Sequence, residues 1–376
     1  MDKKKLGFGL MRLPVKTNAE GVSSVDYERV CQMADVFLEK GYTYFDTAAP
    51  YHNGESEIAL RECVIKRHPR EAFTVTDKLS LFMIKKKEDI PGFFEAQLEH
   101  CGVEYFDYYL LHAVSKEIYQ KAEEMQAFEF MVQKKEEGKL KHIGFSFHDS
   151  ADLLDEILTK HPEMEYVQLQ INYADWEDAD VQSRKCYEVC VKHKKPVIVM
   201  EPVKGGLLAN VPEDAEKLLK SAGPDMSVAS WAIRFAASLD NVVMVLSGMS
   251  DEAQVADNLS YMGAFEPLTE EERDLVLKTA ALIKEKEKIA CTACRYCVDD
   301  CPKKIAIPDY FKLVNRISMY GESQMQRAKA DYTYSIEKEG KGKASDCIKC
   351  RRCEGHCPQH LPITTYLEEV AGMFEA

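Results

Sequence analysis

Thr43-Tyr44-Phe45-Asp46-Thr47-Ala48-Ala49-Pro50-Tyr51-His52-Asn53-Gly54-Glu55-Ser56-Glu57-Ile58-Ala59-Leu60 is the stretch from which the fold is read. A β-prone run ends in an acid, a loop punctuated by Pro50 and Gly54 carries a tyrosine, and an amphipathic segment from Ser56 to Lys66 follows. Strand, loop and helix in that order make one unit of a parallel sheet, because parallel strands need a long crossover between them.

The unit recurs in both directions. Strand character returns at Phe73-Thr74-Val75-Thr76, Tyr105 to His112, His142 to Phe147, Tyr166 to Asn172, Pro196 to Glu201 and Val242 to Ser247; an opening strand near Gly7 to Arg12 completes a set of eight. Helix-like segments lie between, among them Ser24 to Glu39, Glu123 to Glu137, Ala151 to Thr159 and Val228 to Ala237. This rhythm matches an α/β fold of the (β/α)8 TIM-barrel type, which takes roughly 250 residues. The rival, an open doubly wound sheet, lacks its Gly-x-Gly-x-x-Gly after the first strand. The barrel is expected over residues 1–268. Thr269 with Glu270 to Glu272 then caps a linker helix into a smaller, mostly helical domain over 269–376.

Bulk composition agrees with two domains in 376 residues and narrows the partners. Apolar residues make up 45% and charged residues 30%, the balance of a globular chain. A formal charge of −14 repels nucleic acid and anionic membranes, and no apolar run reaches spanning length. No apolar export signal follows the charged stub Met1 to Lys5, so a cytoplasmic protein is expected. Lys85 to Lys87 and Lys192 to Lys195 read as solvated faces.

The cysteines carry the sharpest signal. Cys291, Cys294, Cys297 and Cys301 precede Pro302, and Cys347, Cys350, Cys353 and Cys357 precede Pro358, with a Gly/Lys-rich loop at Glu339 to Lys343 between the motifs. Three thiolates at this spacing converge on one iron–sulfur cube while the fourth reaches the other cube. The expected sets are therefore Cys291, Cys294, Cys297 and Cys357 for one [4Fe-4S] cluster, and Cys347, Cys350, Cys353 and Cys301 for the other. This resembles the bacterial dicluster ferredoxins. Zinc knuckles need neither the third cysteine at the same spacing nor the trailing proline. Cys31, Cys63, Cys101, Cys186 and Cys190 read as core thiols.

In the barrel, strand ends supply Asp46, Lys78 and His112, and the loop after the first of them supplies Tyr51, so four polar groups gather at one rim. Order and placement resemble the aldo-keto reductase family from about residue 6 to 265. The resemblance implies that Tyr51 is the general acid, that Lys78 tunes it, that Asp46 anchors Lys78, and that His112 orients a carbonyl or relays the proton. A free tyrosine with a pKa near ~10 donates poorly at neutral pH, and a neighbouring lysine is expected to lower that value. It also implies a nicotinamide nucleotide, NADP(H) or NAD(H), held by Ser146 and Gln168 at the carboxamide, by Lys204, Gly205 and Gly206 at the pyrophosphate, and by Gln254 and Asn258 at the adenosine end. Phe147 and Met200 depart from the family pattern, and the segment from Ser247 to Leu259 carries no cation for a 2′-phosphate.

Together the two halves read as an oxidoreductase acting on a small carbonyl or alcohol. Nicotinamide moves electrons in pairs and clusters move them singly, so a flavin, or a redox partner protein, is the candidate for splitting the pair. Two alternatives stand beside this: an electron-transfer protein using the barrel as a flavin platform, and an ordinary reductase with structural or redox-sensing clusters.

Overall fold

The computed structural model describes residues 4–18, 22–299 and 301–375. In chain order the strands are β1 (Leu6–Gly9), β2 (Val15–Thr17), β3 (Ser23–Val25), β4 (Tyr44–Asp46), β5 (Thr74–Leu79), β6 (Phe106–Val114), β7 (Leu140–Phe147), β8 (Tyr166–Gln170), β9 (Val197–Met200) and β10 (Val242–Ser247). The helices of the first part are α1 (Tyr27–Glu39), α2 (Glu55–Leu60), α3 (Ile90–Cys101), α4 (Lys116–Glu124), α5 (Ala127–Glu136), α6 (Ala151–Lys160), α7 (Ser183–Lys192), α8 (Glu213–Ala222), α9 (Val228–Ala237) and α10 (Glu252–Met262). Those that follow are α11 (Glu270–Lys284), α12 (Tyr296–Asp299), α13 (Ile307–Tyr320), α14 (Met325–Glu337), α15 (Arg352–Gly355) and α16 (Ile363–Phe374).

Strand β1 and strands β4 to β10 close into a barrel in the order β1-β10-β9-β8-β7-β6-β5-β4, with parallel neighbours throughout. Register decides which side chains enter it. Asp46 lies opposite Thr76, and Lys78, two residues on, shares the Thr76 face; Asp77 between them faces outward, toward α3. Closer to the strand starts, Tyr44, Leu110, Tyr166, Ile198 and Leu246 fill the interior as one layer. A Cβ on Gly144 would stand 2.4 Å from the Tyr166 carbonyl oxygen, so only glycine lets β7 and β8 approach here.

Several expected boundaries move. The opening strand stops at Gly9 and turns into a tight helical turn over Leu10–Arg12. Residues Ser24 and Val25, expected in the first helix, pair with β2 as a hairpin, and α1 begins at Tyr27 after the Asp26 cap. The segment from Glu123 to Glu137 is two helices, broken where Gln126 adopts φ 54°. The helix expected from Ser56 to Lys66 starts at Glu55 and finishes as a π turn over Arg61–Ile65. Short-range periodicity sees none of these breaks, because each is set by what the segment packs against.

Contacts divide the chain into one compact unit of residues 1–206 with 229–273, and a second of 207–228 with 274–376. The second has its own core, where Tyr310, Phe311 and Val314 of α13 and Leu367, Val370 and Phe374 of α16 belong to one buried cluster. Among the described residues no helix is long and apolar enough to cross a membrane.

Candidate active site and cysteine-lined cavities

Lys78 is the most deeply buried charge of the barrel mouth, at 1% exposure. Its ammonium donates to Asp46 Oδ1 at 2.5 Å and to the Thr47 carbonyl at 2.7 Å, and lies 4.8 Å from the centre of the Tyr51 ring. Burial works against that charge, but the Asp46 carboxylate and Tyr51 outweigh it and hold Lys78 above the ordinary lysine range. Asp46 is held from across the barrel as well, accepting from Gln168 Nε2 at 3.2 Å. The amide oxygen of Gln168 has no partner among the described residues.

Tyr51 sits on a turn in which His52, Asn53 and Gly54 all take positive φ (49°, 56° and 93°). His52 Nε2 accepts from the Leu13 amide at 3.0 Å and pins that turn. Lys78 pulls the Tyr51 pKa down as expected, but it does not set the net direction. Burial is the larger influence, and it pushes the phenol above its ordinary value although Lys78 pulls the other way. The Tyr51 and His112 rings meet edge to face at 5.8 Å. Burial, with Lys78 and His148 nearby, drives His112 well below the ordinary imidazole range, so it is neutral at physiological pH.

The position of His112 comes from an irregularity. The pairing of β6 with β7 slips between Leu111 and Val114, and Ala113 adopts φ 55°. The Ala113 amide donates to Ser146 Oγ at 2.7 Å, which secures the bulge beside His112. On the other side, Ser80 Oγ and His112 Nδ1 are 2.7 Å apart, and the half-exposed Phe82 ring lies 5.4 Å from the imidazole. Sequence reading missed Ser80 and Phe82; both lie within four residues of Lys78, which is the one signal that could have pointed to them.

The residues expected along a nucleotide carry internal partners. Lys204 pairs with the buried Asp175, whose carboxylate also accepts from Asn172 Nδ2 at 2.8 Å and Gln170 Nε2 at 2.9 Å. Gly205 and Gly206 follow at φ 64° and 98°. Gln254 folds back onto the Ser250 amide and Asp251, and Asn258 donates to Ser247 Oγ at 2.6 Å. Arg12 lies beside the β10 segment: a Cβ on Gly248 would meet the Arg12 side chain at 3.4 Å, and the Arg12 carbonyl accepts from Ser250 Oγ at 2.8 Å.

In the second unit, the eight cysteines sort into two cavities. One is lined by Cys291, Cys294, Cys297 and Cys357; the other by Cys301, Cys347, Cys350 and Cys353. Each motif thus lends its last cysteine to the other cavity. Among the described residues no three Cys, His, Asp or Glu side chains gather tightly enough for a single metal ion. Four thiols around a hollow fit a cube, and a zinc ion would draw them together.

A family model described as the aldo/keto reductase family matches residues 5–279. The chain belongs to the aldo/keto reductase family. A 4Fe-4S dicluster domain follows, matched over residues 290–361. An aldo-keto reductase of Mycobacterium avium is 27% identical over 245 residues, covering 64% of this chain and 78% of its own. The uncharacterized oxidoreductase YqkF of Bacillus subtilis is 22% identical over 302 residues, 72% of this chain and 91% of its own. Among solved structures, the holo form of aldo-keto reductase AKR11C1 from Bacillus halodurans superimposes with a TM-score of 0.59 at 25% identity, covering 73% of this chain and 91% of that one. An aldo-keto reductase from Klebsiella pneumoniae in complex with NADPH has the same fold, with a TM-score of 0.57 at 18% identity over 73% and 90%. The protein is thus an oxidoreductase with an aldo/keto reductase barrel and a dicluster domain. Nothing in these relatives supports the flavin raised by the electron count.

Proposed function

We propose that this aldo/keto reductase interconverts a small carbonyl compound and its alcohol with NADP(H) or NAD(H), and that its two clusters exchange single electrons with a redox partner protein. The observation that carries the first half is Lys78, buried, bonded to Asp46 and set against the Tyr51 ring.

A nicotinamide nucleotide, when bound, would supply the hydride for the carbonyl carbon. The protein's own task is the proton. Tyr51 enters the reaction protonated, since burial raises its pKa, and gives its phenolic proton to the carbonyl oxygen. The phenolate left behind faces the Lys78 ammonium, which favours it over the neutral phenol; Asp46 keeps that ammonium charged in a desolvated pocket. Neutral His112, steadied by Ser80, offers a ring N–H to the same oxygen and fixes its direction. Phe82 gives the mouth an apolar wall. Gln168, anchored to Asp46 through its amide nitrogen, suits the carboxamide, and Ser146 acts through the bulge it holds. Lys204, Gly205, Gly206, Gln254 and Asn258 are assigned to the rest of the nucleotide, with Arg12 added at the phosphate end.

In the dicluster unit, Cys291, Cys294, Cys297 and Cys357 hold one [4Fe-4S] cluster, and Cys301, Cys347, Cys350 and Cys353 the other. The lining of the two cavities supports that division. Each cluster supplies one-electron exchange when assembled.

The test is anaerobic turnover of a short aldehyde with NADPH, then NADH, by the cluster-loaded protein and its Tyr51→Phe variant. Turnover that falls by at least about a hundredfold in the variant supports the assignment. Absence of turnover with a panel of aldehydes and ketones, or turnover indifferent to the substitution, sinks it.

A further inference from the structure

We infer that the cavity bounded by Cys301, Cys347, Cys350 and Cys353 is the port of the dicluster unit, and that the partner docking there is an acidic one-electron carrier protein. This deepens the relay reading above and rests on it.

The two cavities differ in charge. Around the second, segments 301–304 and 341–353 hold seven lysines and arginines against one acid, Asp346, in a chain whose formal charge is −14. In the sequence of the first motif, 291–300, Arg295 stands against Asp299 and Asp300. Sequence alone does not bring the two basic segments together. An isolated parallel bridge joins Ile305 to Gly342, and the Gly342 amide donates to the Lys304 carbonyl at 3.0 Å. A Cβ on Gly342 would stand 1.9 Å from the Lys303 carbonyl oxygen, so the approach requires glycine. Lys341 and Lys343 are thereby set beside Lys303 and Lys304, and all four are exposed.

Lys303, Arg351 and Arg352 line the cavity itself, with Ile348. Lys349 pairs with Glu368 and Arg351 reaches Glu354 only at 3.8 Å, while Lys303, Lys304, Lys341 and Arg352 have no side-chain partner among the described residues. The single cation lining the first cavity, Arg295, is instead bound to Asp309 at 2.7 Å. Exposed lysines and arginines normally find acids on an acidic protein. A patch left with unneutralised cations projects a positive field, which steers an oppositely charged partner and fixes its register. Ile348, 58% exposed in the middle of that patch, supplies the apolar contact that the centre of an interface uses inside a polar rim. Lys341 and Lys343 extend the cations beyond the lining of the cavity onto the exposed surface. At this port one electron passes from the reduced carrier to the cluster, leaving the carrier oxidised by one and the cluster reduced by one, with no bond made and no proton moved.

The experiment uses the full chain with both clusters assembled, mixed anaerobically with reduced flavodoxin as the acidic probe and, separately, with the basic protein cytochrome c as electron acceptor after cluster reduction. Cluster absorbance reports the exchange and, before mixing, the cluster content per chain. The bimolecular rate with flavodoxin should fall by about tenfold or more as ionic strength rises from about 0.05 to 0.5 M. Lys341→Glu with Lys343→Glu, neither of which lines the cavity, should lower it about tenfold at low salt with full cluster content. Lys85→Glu with Lys86→Glu, the same charge change on the barrel surface, should leave it unaltered. A flavodoxin rate indifferent to salt, an equal loss in both double variants, or a cytochrome c rate that falls as ionic strength rises would overturn the port. The salt series needs no substitution and so stands whatever the variants do. Clusters that exchange electrons with neither carrier would overturn the relay reading as well, whereas a failed aldehyde assay touches only the barrel chemistry.

Discussion

Gln168 donates from Nε2 to Asp46 Oδ2 at 3.2 Å, across the barrel interior and 122 residues of chain. That bond engages the carboxylate oxygen that Lys78 leaves, so the buried anion is satisfied on both sides. Losing Lys78 alone leaves an uncompensated buried carboxylate. Lys78→Met should destabilise the barrel by about 3–5 kcal/mol at neutral pH, and Lys78→Met with Asp46→Leu should recover a large part of that. Urea unfolding of the three proteins measures both; an unchanged midpoint in the single variant would contradict the buried pairing.

The pH dependence of carbonyl reduction follows from the two rings. His112 is held well below its usual range and is neutral through the physiological window, so its titration should not bend the profile between about pH 6.5 and 8. Tyr51 is held above its ordinary value, so the rate should fall only on an alkaline limb, as the phenolic proton is lost. An inflection near neutrality that survives in Tyr51→Phe would point to a different acid.

Ser146 is expected to act at one remove from the chemistry. Its hydroxyl accepts from the Ala113 amide in the bulge that follows His112. Ser146→Ala should loosen the imidazole and lower kcat by about fivefold, since one lost hydrogen bond is worth about 1 kcal/mol, while leaving Kd for the nucleotide within about twofold. Fluorescence titration with NADPH separates the two; a large loss of nucleotide affinity with kcat intact would give Ser146 to the carboxamide instead.

Asp77, on the outer face of β5, is pushed well above the carboxylate range by burial and by the charge of Glu57. A raised folded pKa means the native state holds the proton more tightly than the unfolded chain. Its contribution to stability is therefore present at low pH and is lost as pH rises from the unfolded value of ~3.9 toward the folded one. Asp77→Asn removes that dependence, so its stability relative to the parent should grow with pH above about 4. Unfolding free energies from pH 4 to 8 test the slope; parallel curves would mean that Asp77 is ionised.

The crossed cysteine sets make a prediction in iron. Cys357→Ala should cost one cluster and so half of the bound iron. Adding Cys291→Ala should cost no more, because both belong to one cavity, whereas adding Cys347→Ala should remove the remainder. Iron and sulfide analysis of anaerobically purified protein decides it; the reverse pattern would show that each motif closes on itself.

The sequence by itself determined the parts whose information is local. Alternation of β-prone and amphipathic runs specifies a closed parallel barrel, since each strand–loop–helix unit shows in its own side-chain period. Repeated cysteine spacing specifies two clusters, because a cube dictates how far apart along a short loop its ligands stand. The rim quartet of Asp46, Tyr51, Lys78 and His112 was legible for the same reason: strand ends fall at one mouth.

What only the tertiary structure decided depends on neighbours far along the chain. Burial, not Lys78, sets the direction of the Tyr51 pKa, because desolvation is a property of the packed mouth and not of a residue pair. Lys204, a free cation on paper, faces the carboxylate of Asp175, and Arg12 comes from the opposite end of the barrel sequence to stand beside Gly248. The bulge that places His112 is a register slip held by Ser146, and the basic patch exists because Gly342 lets two separated lysine pairs close on one another. Register, close approach and desolvation are pairwise or collective quantities, and a linear string carries them only once the chain has folded.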